Sequence, residues 1–338
     1  MVKKIAMNVK YSLLVSAFLV LFTAQAVDAQ QSAQVPTLGY VSQFSGAAGP
    51  KHPVLEAFLR GLTELGYVDG KNISIEYRYT EGKNDRLPAA VAELVSQKVD
   101  IIVTEGGVAT REAKKATQTI PIVMENSGDA VTVGLVASLD RPGGNVTGLT
   151  SLSGAAAAKR LQLLAELVPN LTHVGVLWPG PGSPLMDQEW AQTREAAGPL
   201  NVQLHSLVAS DPAGLPGAFA EAKQQQVQAI VQFDTQALLV PSATAQTFEF
   251  TLTKRLPMMF QSPVVIRQGG LIAYGVDGIE QSRRAAGYVD RILKGAKAGD
   301  LPVGTPEKFV LLVNLNTARA IGLTIPPSIL SRADTVIE

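Results

Sequence analysis

The chain has 338 residues, 29 basic and 29 acidic side chains, and 46% hydrophobic residues. That length predicts two packed domains, and the apolar fraction excludes a disordered chain. Zero net charge gives no electrostatic reason for a nucleic-acid partner, and the lack of cysteine excludes disulfides, thiolate nucleophiles, iron–sulfur clusters, cysteine zinc sites and a lipid-modified N-terminal cysteine.

Lys3, Lys4 and Lys10 form a basic start, and an apolar run broken only by Ser16 covers 13–22. Small residues follow at Ala24, Ala26 and Ala29. This is the three-part plan of a secretory signal over 1–29. Cleavage is expected after Ala29, with Ala26 as the alternative site. An uncleaved membrane anchor is the alternative reading, but the run is short of the ~20 residues that a span needs. Cutting after Ala29 leaves 26 basic and 28 acidic residues. An exported, unanchored chain of this kind suits a periplasm.

Short Val- and Ile-rich runs then recur at 38–42, 73–79, 101–104, 122–124, 146–149, 174–178, 202–208, 229–233, 258–260, 271–274 and 309–313. Several are continuously apolar, as parallel strands buried on both faces are. Between them Leu55, Phe58, Leu59, Leu62 and Leu65 keep helical spacing, and Gly66 ends that helix. Leu87, Val91, Leu94 and Val95 repeat the pattern, and so do Leu161, Leu164, Leu167 and Val168. Alternation of strand and helix predicts parallel sheets. Eleven strands are too many for one compact sheet, and 150–169 reads as the passage between two halves. The fold class expected is therefore α/β, with two doubly wound lobes and a cleft between them.

Searches for catalytic motifs return little. The three histidines, His52, His173 and His205, have no metal-ligand spacing. His173 and His205 fall at or inside predicted strands, as packed or surface residues. His52 precedes the first helix, as a loop residue or one facing a cleft. There is no nucleophile elbow, no phosphate loop, and no carboxylate spacing that marks an acid/base pair. No cofactor or metal is expected.

The strand ends carry a different signal. In doubly wound sheets, ligands bind outside the carboxyl ends of the strands. Ser42 and Gln43 follow the first strand; Thr104, Glu105, Gly106 and Gly107 end another. Asn126, Ser127, Gly128 and Asp129 end a third, and Ser151 lies in the passage between halves. In the second half the ends give Trp178, Asp234, then Gln261 with Ser262, and Tyr274 with Asp277. Hydroxyls and N–H groups at helix starts suit a carboxylate, and an acidic side chain suits an amine. Trp178, Tyr274 or Phe44 would stack on an apolar ligand part. The same residue types also serve as ordinary caps and turns, and for Asp129 a cap is an equal alternative.

Several ordered segments together carry a resemblance. They are EAFLRGLTELGYVDGKNI at 56–73, EYR at 76–78, GLVASL at 134–139, RPGGNVTG at 141–148, YVD at 288–290, ILKGA at 292–296, DLP at 300–302 and GLTIPP at 322–327. On these the chain resembles the substrate-binding proteins of ABC transporters, in particular those that take up tryptophan or tyrosine. The resemblance spans essentially the whole mature chain. It implies a type I periplasmic-binding-protein fold with three crossings. Lobe one would cover 36–150 plus 278–297, and lobe two 151–277 plus 298–338. It implies hinge closure on a small solute, delivery to an ABC permease in the inner membrane, and a monomer without chemistry of its own. Two departures stand out: Thr104-Glu105-Gly106-Gly107 replaces a Gly-Gly-Thr-Pro-like sequence, and Ala130 replaces a frequent proline. Glu105 would place a negative charge at the cleft mouth, selecting an amine or repelling acids. The competing readings are an exported sensor domain that signals without transport, and an enzyme, for which no nucleophile–base pair rises above chance.

Overall fold

The computed structural model describes residues 35–43 and 52–338; the expected signal segment and Phe44 lie outside the described residues. β1 (Thr37–Ser42) leads to α1 (Pro53–Glu64), β2 (Ser74–Tyr79), α2 (Leu87–Ser96), β3 (Ile101–Thr104), α3 (Gly107–Ala116), β4 (Ile122–Met124) and β5 (Val146–Gly148). These five strands form one parallel sheet in the order β2-β1-β3-β4-β5. Alternate residues of a strand face opposite ways. Leu38 and Tyr40 therefore pack on one side with Leu55, Phe58 and Leu62 of α1. Val41 packs on the other side with Leu87, Val91 and Leu94 of α2. Pro53 stands in the first turn of α1, where its fixed φ suits a helix start.

The chain then crosses into the second lobe through α4 (Ala157–Leu167), β6 (His173–Trp178), α5 (Pro184–Ala197) and β7 (Gln203–Val208). It continues with α6 (Leu215–Gln224), β8 (Ala229–Gln232), α7 (Gln236–Leu239), α8 (Pro241–Lys254), β9 (Met258–Phe260), α9 (Pro263–Arg267) and β10 (Ile272–Val276). Next, α10 (Gly278–Leu293) returns to the first sheet, where Ala285, Ala286 and Val289 pack with Leu55 and Phe58. Leu301 and Val303 also pack in the first lobe. The third crossing reaches β11 (Phe309–Asn314), α11 (Leu315–Ile321), α12 (Pro327–Leu330) and β12 (Thr335–Ile337). The second sheet runs β12-β11-β10-β9-β8-β6-β7, with one core on each face. Two parallel-sheet α/β lobes thus stand as the sequence pattern predicts.

Two departures are physical. β11 pairs antiparallel with β10, whereas the run at 309–313 reads as one more parallel strand. β10 ends where the lobes meet, and the returning chain enters the sheet from that same end, so β11 must run the other way. β12 went unread because Thr335-Val336-Ile337 is too short to show a period. At the hinge, Leu149 bridges to Gly304, and the N–H of Thr150 donates to the Gly304 carbonyl at 3.0 Å. Two of the crossings are therefore paired with each other. His173 and His205 sit side by side on β6 and β7, 2.9 Å apart between Nδ1 and Nε2.

Candidate functional site

The carboxyl ends of the parallel strands of both sheets face one cleft of about 360 Å³. From the first lobe, Gln43 follows β1, and Glu105, Gly106 and Gly107 join β3 to α3. Gly106 has φ +87°, which turns the chain from strand into helix and favours glycine. Glu125, Asn126, Ser127 and Gly128 follow β4, and Ser282 comes from α10.

The centre of this wall is a pair of buried carboxyl groups. Glu105 is only 5% exposed and Glu125 is 0% exposed. Ser42 Oγ donates to Glu105 Oε2 at 2.6 Å. Tyr40 Oη donates to Glu125 Oε2 at 3.0 Å, and Ser282 Oγ donates to the same oxygen at 3.1 Å. Burial pushes the Glu105 carboxyl up to about 7, against the opposing bond from Ser42. Burial and the neighbouring Glu105 push Glu125 well above the ordinary carboxylate range. Burial, with the two carboxyl groups, likewise raises the Tyr40 hydroxyl well above its ordinary value.

From the second lobe come Asp234 and Thr235 after β8, Gln261 and Ser262 after β9, and Gly275 of β10. Burial is the main cause that lifts Asp234 to about 8; Glu189 adds to it and Arg160 opposes it. Arg160 of α4 and Glu189 of α5 form an ion pair that is 0% exposed on both sides. Arg160 also donates from Nη1 to the Tyr274 carbonyl at 3.3 Å. His52 faces the cleft, and burial holds its imidazole down at about 4, neutral at pH 7. Apolar surface comes from Val108 in the first lobe and from Leu185, Leu239 and Phe309 in the second. Among the described residues no group of three or more side chains could hold a metal ion.

Acceptor atoms set the character of the cleft. Gln43 Oε1, Glu125 Oε1, Asn126 Oδ1, Asp234 Oδ1 and Thr235 Oγ1 are buried with no hydrogen-bond partner in the protein. Buried polar atoms are rarely left so. All five belong to residues lining this one cleft.

Eleven residues singled out from sequence meet there: Gln43, Glu105, Gly106, Gly107, Asn126 and Ser127 among them, with Gly128, Ser151, Asp234, Gln261 and Ser262. Six others are engaged outside its lining. Ser42 holds Glu105 from behind. Thr104 Oγ1 lies 2.8 Å from Thr110 Oγ1. Asp129 accepts from the N–H groups of Val131 and Thr132, so it closes a turn. Trp178 stacks on Trp190 at 4.8 Å and donates from Nε1 to Ser206 Oγ. Tyr274 packs against Phe309 at 5.8 Å. Asp277 caps α10 by accepting from Ile279 and Glu280. The charge expected from Glu105 at the cleft mouth is corrected: the side chain is buried beside Glu125, where ionising both carboxyls is costly.

Glu125, the first residue beyond β4, carries no signal in the sequence that separates it from an ordinary acidic side chain. Arg111, one turn into α3, and Phe309 likewise reach the cleft without a local sequence signal. Phe309 begins a strand, and only the antiparallel pairing of β11 brings a strand's start to the cleft.

Comparisons with known proteins agree with this architecture. The family model described as ABC transporter substrate binding protein matches residues 51–337. A tyrosine-binding protein of Clostridioides difficile (strain R20291) is 25% identical over 286 residues, which cover 81% of this chain and 79% of that protein. A conserved domain protein from Vibrio cholerae superposes with a TM-score of 0.81 at 24% identity, covering 90% of this chain and 100% of that one. An ABC domain in complex with L-Trp from Streptococcus pneumoniae gives 0.79 at 22% identity, covering 89% and 99%.

Proposed function

Since this chain belongs to the ABC transporter substrate-binding protein family, we propose that it captures a small organic solute between its lobes and delivers it to a membrane permease. The family consists of solute-binding proteins, not enzymes, and is typically extracytoplasmic. Among the described residues no helix is long and apolar enough to cross a membrane. In this reading the basic and apolar start of the chain is a cleaved leader to the periplasm, and a monomer meets the permease of an importer.

One observation carries the reading: five buried, unpartnered acceptor atoms converge on a cleft built from both lobes. A ligand supplied with donors satisfies them, and the hinge lets the lobes shut around it. Contacts across the cleft support a shut form. A Cβ at Gly82 would lie 2.9 Å from Val240 Cγ1. The Ser151 N–H donates to the Gly128 carbonyl at 2.9 Å, tying the hinge to the cleft loop. The solute of this reading is an amino acid or related compound. Its carboxylate meets the N–H groups at the start of α3 beside Arg111, and its apolar part meets Leu185, Leu239 and Phe309. The L-Trp complex of one similar structure and the name of the tyrosine-binding relative favour an aromatic side chain.

A thermal-shift screen of refolded protein against amino acids, aromatic acids, sugars and polyamines tests it. A ligand of the native state raises stability by ~2.7 kcal/mol at a hundredfold excess over its dissociation constant. A raised melting temperature with an amino acid is expected. No shift with any class contradicts the binding role.

A further inference from the structure

We propose that Glu105 and Glu125 form a cation subsite, so that the solute must carry a positively charged nitrogen. This rests on the cleft being the solute site, and it narrows the solute to organic cations and amine-bearing zwitterions.

The acidic pair does not stand alone. Glu125 lines the cleft, and its Oε1 is buried with no hydrogen-bond partner in the protein. Gln43 Oε1, on a different strand end and 1% exposed, is likewise without one. The Gln43 oxygen accepts only, Glu125 does so once it is ionised, and an ammonium presents three donors. Asp234 Oδ1 adds a third unpartnered acceptor from the opposite lobe. Among the described residues neither Glu105 nor Glu125 forms an ion pair with a basic side chain. Arg160 is committed to Glu189, and burial keeps His52 neutral. Tyr40 and Tyr79, on the neighbouring strands, are raised by burial and by the carboxyl groups. Arg111 also lines the cleft, from α3, where the proposed function gives it the solute carboxylate.

Without a cation, burial of two like charges favours a shared proton on the pair. When an ammonium binds, it takes the place of that proton, and the proton passes to solvent. Binding at pH 7 therefore releases a proton, and the affinity for a fixed cation rises with pH. A solute with the same apolar body and no ammonium leaves the pair protonated and loses the charged contact. Truncating one partner of a buried charge contact lowers affinity roughly thirtyfold or more.

The test uses matched pairs titrated into refolded protein: tryptophan with indole propionate, tyramine with tyrosol, and putrescine with butanediol. At least one amine-bearing member is expected to bind, with its partner weaker by about thirtyfold or more. Calorimetry in buffers of different ionisation enthalpy should count a released proton, and E105Q and E125Q should each lose it. An uncharged or anionic member that binds as well as its amine partner overturns the cation subsite and leaves the binding role standing. So does an amine whose affinity and proton release survive both substitutions. If no amine binds, the subsite is overturned; a shift with sugars or aromatic acids in the wider screen then shows that the binding role has not failed with it.

Discussion

A Cβ placed on Gly128 would lie 2.5 Å from Leu185 Cδ2, so the loop after β4 in one lobe rests directly on α5 of the other. Gly128 also has φ +72°, where side chains are strained. Gly128→Ala should therefore strain this loop and press on Leu185, hindering closure while both cores stay folded. The expected result is a fall in solute affinity of about tenfold or more, with an enlarged radius of gyration in the presence of ligand. Adding Leu185→Ala should recover part of the loss. Unchanged affinity in the single variant would show that this contact plays no part in closure.

Stability of the ligand-free protein should fall as pH rises. Glu105 stands at about 7 in the fold against an ordinary 4.5, and Asp234 at about 8 against 3.8. Each folded carboxyl holds its proton more tightly than the unfolded one, so the native state binds more protons between those values. The stabilisation is present below about pH 4 and is lost progressively up to about pH 8. Melting curves from pH 5 to 9 should show the decline, and Glu105→Gln should flatten it. Parallel curves for wild type and variant would remove Glu105 as a cause.

Asp129 and Asp234 should separate cleanly. Asp129 closes a turn through Val131 and Thr132, so Asp129→Ala should cost about 1 kcal/mol of stability and leave affinity unchanged. Asp234→Ala removes a cleft acceptor and should weaken binding while the protein stays folded. Weakened binding in the Asp129 variant alone would reverse the two assignments.

The Arg160–Glu189 pair is wholly buried, and Arg160 reaches the cleft. Glu189→Ala leaves a buried charge uncompensated and should destabilise by about 3–5 kcal/mol in urea unfolding. Glu189→Gln keeps the shape and an acceptor and should cost less. A change of under about 1 kcal/mol in the alanine variant would mean that the site relaxes or admits water.

The fold was legible because periodicity and strand-to-helix alternation are local signals. Eleven of the apolar runs read as strands are strands. What stayed hidden depends on contacts distant in sequence. The direction of β11 follows from a chain that leaves one lobe and returns, and Phe309 owes its place to that path. Reading strand ends found Gln43, Glu105, Asp234 and Gln261 because a parallel sheet sends its carboxyl ends to one side. The same rule gave no means of telling a cleft residue from a cap. Asp129 and Asp277 have the cap chemistry that the residue type allows, and their neighbours' N–H groups decided it. Trp178 carries an apolar ring at a strand end, yet Trp190 on α5 takes its face. Glu105 stands out in the sequence, but its burial beside Glu125 joins two strand ends that sequence cannot pair.

The most direct measurement is a crystal structure of the protein grown with the amine that gives the largest thermal shift. The expected result is ligand density between Glu125 of one lobe and Asp234 of the other, with its nitrogen within hydrogen-bond distance of Glu125 Oε1. Density on the outer surface, or a cleft left empty by a compound that stabilises the protein, would contradict solute capture between the lobes.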